Sequence, residues 1–120
     1  MRYVKLALVL IALCPANAGA GEADVVGVTV RAQGDGRYSF NVAVRHGDDG
    51  WQHYADKWDV VAPDGTVLGT RVLLHPHENE QPFTRSLSGV SVPAGVDRVT
   101  LRAHDLVHGY GGTEMQVMLP

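Results

Sequence analysis

Whatever chemistry this chain performs must come from imidazoles and carboxylates. Its six histidines fall in three pairs: His46 with His53, His75 with His77, and His104 with His108. Neutral imidazole is the commonest protein metal ligand, so three histidine-bearing segments meeting at one end of a fold would make a metal site. The candidate ligands are His46, His53, His108 and Asp105, with His75 and His77 in a second loop. An all-nitrogen-and-oxygen set of this kind suits zinc, copper(II) or non-haem iron, and the Irving–Williams order favours copper or zinc where geometry allows them. Each candidate also has a plain structural reading. His46 shares parity with Tyr38, Phe40, Val42 and Val44 and would cap a core. His53, His75 and His77 sit in polar connections. Asp105 would accept backbone N–H groups as a turn residue, and His104 points away from the interior. Met115 and Met118 read as packing residues, and Asp48-Asp49-Gly50 as a turn rather than a calcium loop. The sequence has no nucleophile motif, phosphate loop or zinc-finger spacing.

The first twenty residues read as a leader rather than part of the fold. Arg2 and Lys5 precede the apolar run from Leu6 to Leu13, and small residues follow at Ala16, Ala18 and Ala20. This is the pattern of a secretory signal peptide over residues 1–20, cleaved after Ala16-Asn17-Ala18 or Ala18-Gly19-Ala20. The run is too short for a membrane anchor, and Leu13 stands where a lipoprotein signal needs a small residue before Cys14. Export predicts a periplasmic or secreted protein. Cleavage removes the one cysteine, so no disulfide and no thiolate ligand remain. Removing Arg2 and Lys5 leaves eight basic against thirteen acidic side chains, a net charge of about −5. That balance offers no basic face to nucleic acid or anionic lipid.

Residues 21–120 must then supply one domain, and its patterning is all β. Val26, Val28 and Val30 alternate with smaller or polar residues; Tyr38 to Val44 gives the clearest two-residue period. Gly34-Asp35-Gly36 is a hairpin turn. Further strands are predicted over Lys57–Ala62, Thr66–Leu74, Pro82–Val92, Val99–Ala103 and Glu114–Leu119. Pro63-Asp64-Gly65 and Pro93-Ala94-Gly95 serve as turns. Seven short strands predict an immunoglobulin-like antiparallel β-sandwich with Trp58 in its core. In that topology the second–third, fourth–fifth and sixth–seventh connections share one pole, which gathers all six histidines there.

On these residues the chain resembles the superoxide reductase and desulfoferrodoxin domain, an immunoglobulin-like fold holding a mononuclear iron. The likeness runs from about Phe40 to Tyr110. It consists of His46, the loop Gly47–Gln52, His53 and the strand bearing Trp58; the turn Pro63-Asp64-Gly65; and the strand Val99–Ala103 leading to Asp105 and His108-Gly109. The resemblance implies a metal held by His46, His53 and His108. It also shows departures: Asp105 stands in the place of the family's axial cysteine, the family's earlier histidine has no counterpart between Gly21 and Arg45, and His75-Pro76-His77 is inserted. Without a thiolate to push electron density onto a bound peroxide, superoxide reduction does not follow.

Two functions of different class stay open at this level. One is a periplasmic metal-binding protein using the histidine pole. The other is a non-catalytic interaction module whose Trp51, Tyr54 and Tyr110 loops meet a periplasmic protein partner, since Tyr and Trp give large contact area at small entropic cost.

Overall fold

The computed structural model describes residues 21–120; the predicted signal peptide and Cys14 lie outside the described residues. Seven strands run in the order β1 (Asp24–Gly34), β2 (Arg37–Arg45), β3 (Ala55–Val61), β4 (Val67–Val72), β5 (Phe83–Ser91), β6 (Arg98–Asp105) and β7 (Met115–Met118). They form two antiparallel sheets, a three-stranded one of order β1-β2-β5 and a four-stranded one of order β4-β3-β6-β7. This is the immunoglobulin-like sandwich predicted from the patterning. Among the described residues no helix is long and apolar enough to cross a membrane.

Each sheet turns one face inward, so the period of two decides which side chains meet. Phe40, Val42 and Val44 of β2 are fully buried, and they face Trp58 and Val60 of β3, Phe83 of β5, and Val99 and Leu101 of β6. Trp58 has the core position expected of it. The first hairpin closes on Asp35 and Gly36 with φ of 56° and 74°, a turn whose twist suits two antiparallel strands.

The first strand departs from its predicted parity. Val28 and Val30 pack against the core, but Val26 is exposed and Val25 is buried in its place. The register slips between Val25 and Gly27. One extra residue at such a bulge exchanges the two faces beyond it, and simple alternation cannot reveal that.

The strand pairings bring three connections to one pole. Val44 at the end of β2 pairs with Phe83 at the start of β5. Lys57 near the start of β3 pairs with Val72 at the end of β4, and Ala55 pairs with Asp105 at the end of β6. The β2–β3, β4–β5 and β6–β7 loops therefore all rise from the same end of the sandwich.

Candidate metal centre

His46 follows β2 by one residue and keeps its inward parity, which sinks the imidazole to 2% exposure at the top of the core. Two residues later Asp48 turns back beneath it. The Asp48 carboxylate accepts from His46 Nδ1 at 2.5 Å, from the Ala55 N–H at 3.0 Å and from the His77 N–H at 2.7 Å. It therefore ties the β2–β3 and β4–β5 loops to the start of β3. The chain then loops outward and returns: Gly50 takes a φ of 71°, its N–H donates to Glu78, and the Asp49 N–H donates to the His53 carbonyl. This return lays the His53 ring edge-on to His46, with centroids 4.8 Å apart.

Asp105 comes up from the other sheet. Its backbone pairs with Gly109 in a tight loop, and Oδ1 accepts from the Val107 and His108 N–H groups at 2.9 and 2.7 Å. The turn role read for Asp105 is thus real, but it occupies only one oxygen. Oδ2 is buried with no hydrogen-bond partner among the described residues and lies 3.8 Å from His46 Nε2. His53 Nε2 is 3.3 Å from Oδ1. One ligand atom from each of His46, His53 and Asp105 lies within 4.8 Å of the others. Ligands at 2.0–2.2 Å from a tetrahedral ion stand about 3.4 Å apart, so small side-chain movements would close this triad on a cation.

His108 flanks the triad, with Nδ1 3.3 Å from Asp105 Oδ1 and its ring 5.0 Å from that of His53. His75 and His77 stand outside it. The His77 ring stacks on Phe83 with centroids 4.0 Å apart, the His75 ring leans on His77, and His77 Nδ1 is 3.9 Å from Asp48. Both rings share the pole with the triad, but His77 is buried in a separate seat against Phe83, and His75 is exposed with Nδ1 3.0 Å from the Pro76 carbonyl oxygen. His104 alternates outward, as expected, and pairs with Asp56 at 2.6 Å against the edge of Tyr110.

A second network braces the β6–β7 loop. Asp59 on the outward face of β3 accepts from Thr70 Oγ1, Arg102 Nε and the Tyr110 hydroxyl at 2.7, 3.1 and 2.6 Å. The Arg102 guanidinium lies 4.0 Å over the Tyr110 ring. Tyr110 is thereby pinned to the sheet two residues beyond His108.

The electrostatics of the triad favour a positive occupant. Burial alone would lower the pKa of His46. The bonds to Asp48 and to the Gly21 carbonyl outweigh it, so the imidazole binds its proton more tightly than an ordinary histidine. Both of its ring nitrogens face acceptors, Asp48 from Nδ1 and the Gly21 oxygen from Nε2 at 3.0 Å, which requires both to carry hydrogen. Burial pushes the Asp48 and Asp105 carboxyls up, but the hydrogen bonds they accept win and hold both below the usual range. The centre thus sets two carboxylates of lowered pKa against an imidazole of raised pKa, a place that a metal ion can take over from the His46 proton.

Two contributors escaped the reading of the sequence. Asp48 looked like part of a turn, although its position two residues after a core-parity histidine is the signal for a partner to that ring. Gly21, whose carbonyl accepts from His46 Nε2 and lies 3.3 Å from His53 Nε2, carries no chemical side chain to notice.

No family model matches this chain, and no solved structure does. A protein of Halomicrobium mukohataei named "Putative lipoprotein" is 47% identical over 96 residues, which cover 80% of this chain and 47% of that protein. The chain therefore spans about half the length of the relative it matches.

Proposed function

We propose that this chain is an exported, envelope-associated β-sandwich protein that binds one transition-metal ion at its loop pole. His46, His53 and Asp105 are the ligands, and His108 stands ready at the rim. The observation that carries this reading is the Asp105 carboxylate between two imidazoles: its buried Oδ2, without a hydrogen-bond partner among the described residues, lies 3.8 Å from His46 Nε2, and its Oδ1 lies 3.3 Å from His53 Nε2. Leaving such an atom unpaired costs about 1–3 kcal/mol, and more when it is charged, a cost that a bound cation would offset. The donor set fits copper(II) or zinc best. Asp48 orients His46 from behind, in the manner of the carboxylate–histidine pairs that support metal sites. With an oxygen donor where the superoxide reductase resemblance expects a thiolate, we read metal binding or transfer rather than peroxide chemistry. The name of the relative supports export to the envelope.

The test is elemental mass spectrometry on the untagged, exported protein and on a His53→Ala/Asp105→Asn variant. The proposal expects close to one copper or zinc per chain, lost in the variant. An exported protein that is metal-free and refuses added copper and zinc would refute it.

One observation favours a second reading, an interaction module. Trp51, Leu74, Leu106 and Val107 are 65%, 75%, 47% and 60% exposed and come from the same three loops. An apolar rim around the pole suits a protein partner in the envelope. A metal-free protein that forms a stoichiometric complex abolished by Trp51→Ala and Leu106→Ala would favour it.

A further inference from the structure

Gly21 lies directly on the proposed site. Its carbonyl oxygen is 3.0 Å from His46 Nε2 and 3.3 Å from His53 Nε2. Its Cα faces the His108 ring so closely that a Cβ built there would stand 2.6 Å from Nε2 and 2.9 Å from Nδ1. Only glycine fits without displacing that histidine. The residues that follow hold it in place. Ala23 is buried, the Val25 N–H donates to the Thr113 carbonyl at 2.8 Å, and the Thr113 N–H donates to Asp24 at 2.7 Å. A backbone segment that merely entered the first strand would not need to lie across three histidines.

The sequence immediately before Gly21 is Ala18-Gly19-Ala20, one of the two cleavage patterns of the leader. Resting on the metal-binding reading, we propose that a signal peptidase cuts between Ala20 and Gly21 and that the new α-amino group of Gly21 becomes a ligand of the ion held by His46, His53 and Asp105. Water supplies the hydroxyl to the Ala20 carbonyl and the hydrogen to the Gly21 nitrogen as the peptide bond breaks. Before the cut, that nitrogen is an amide whose lone pair is delocalised into the carbonyl and is a poor donor. After it, amine nitrogen and carbonyl oxygen of one residue can close a five-membered chelate ring on an ion.

Two consequences distinguish this arrangement from a site of side chains alone. The site is complete only after export and processing, so the precursor binds the ion more weakly than the product. Position 21 must also be the first residue, to supply the amine, and a glycine there leaves the His108 ring where it stands. The competing start at Gly19 would leave Gly21 as an internal amide, and lipidation at Cys14 would place the chain's beginning seven residues upstream.

The test compares the exported chain with the same chain carrying an N-acetyl group on Gly21, using copper(II) as the probe. N-terminal sequencing should give Gly21 as the first residue. Acetylation should weaken copper(II) binding by at least about tenfold, since loss of even a supporting partner of a ligand costs 10–100-fold. The copper(II) paramagnetic resonance spectrum should lose one coupled nitrogen. His53→Ala should weaken both forms. A first residue other than Gly21 would overturn the proposal. Equal affinities with identical spectra would overturn the amine ligand while leaving the side-chain site standing. Failure of both forms to bind would overturn the site and the amine together.

Discussion

Asp48→Asn isolates the group on which the geometry of the pole depends. The Asp48 side chain is fully buried and accepts from an imidazole and two backbone N–H groups in three different segments. Hydrogen bonds to a charged acceptor contribute about 1.5–3 kcal/mol each. Asparagine keeps one acceptor oxygen but turns an NH₂ group toward a donor. The loss should be roughly 2–4 kcal/mol in metal-free protein near pH 6, allowing for non-additivity within one network. At about 4–8 °C per kcal/mol for a domain of this size, the melting temperature should fall by roughly 10–25 °C. The pH dependence is the sharper signature. The folded pKa of His46 is raised above 6.5, so its stabilisation is complete below that value and is lost as pH rises through the raised one. The folded pKa of Asp48 is lowered, so its share is present above 3.8 and is lost as pH falls through the lowered value. Metal-free wild type should therefore lose stability on the alkaline side of pH 6.5, and Asp48→Asn, which keeps only the Gly21 and Asp105 contributions to His46, should lose less. Denaturant melts in chelator, collected between about pH 5 and 8, read this directly. Parallel curves for the two proteins would refute the reasoning.

Further outcomes follow from the fold. Trp58→Ala empties the centre of the sandwich and should cost about 3–5 kcal/mol by denaturant melts, with no change in the acid dependence. Tyr110→Phe removes one of three donors to Asp59 and should cost about 1.5–3 kcal/mol. Burial would raise the Asp59 pKa, but the bonds from Tyr110, Thr70 and Arg102 lower it. Its stabilisation is therefore present above 3.8 and lost as pH falls through the lowered value, and Tyr110→Phe should flatten that acid loss in melts at low pH. His77→Phe should leave metal binding within about threefold of wild type, because the ring stacks on Phe83 outside the triad and the hydrogen bond to Asp48 comes from the backbone N–H, which phenylalanine keeps. Metal titration would show a larger change if His77 were a ligand.

The sandwich was legible because β6 writes its burial in strict alternation and β2 does so from Phe40 to Arg45. The same parity carried His46 to the top of the core. The gathering of the histidine loops at one pole then followed from topology rather than from any local motif. What stayed hidden depends on features without a local signature. The bulge that exchanges Val25 for Val26 is one residue of irregular pairing. The division between His53, which joins the triad, and His75 and His77, which turn aside, is decided by the path of two loops around Asp48. The two oxygens of Asp105 do different things, one closing a turn and the other left bare, and a sequence names only the residue. Gly21 matters through its backbone and through the side chain it lacks.

The most direct test of the metal centre is anomalous diffraction at the copper or zinc absorption edge from metal-loaded crystals of the exported protein. The account predicts a single strong peak about 2.0–2.2 Å from a nitrogen of His46, a nitrogen of His53 and a carboxylate oxygen of Asp105. A peak at His75 and His77 instead, or no peak in crystals grown with saturating metal, would contradict it.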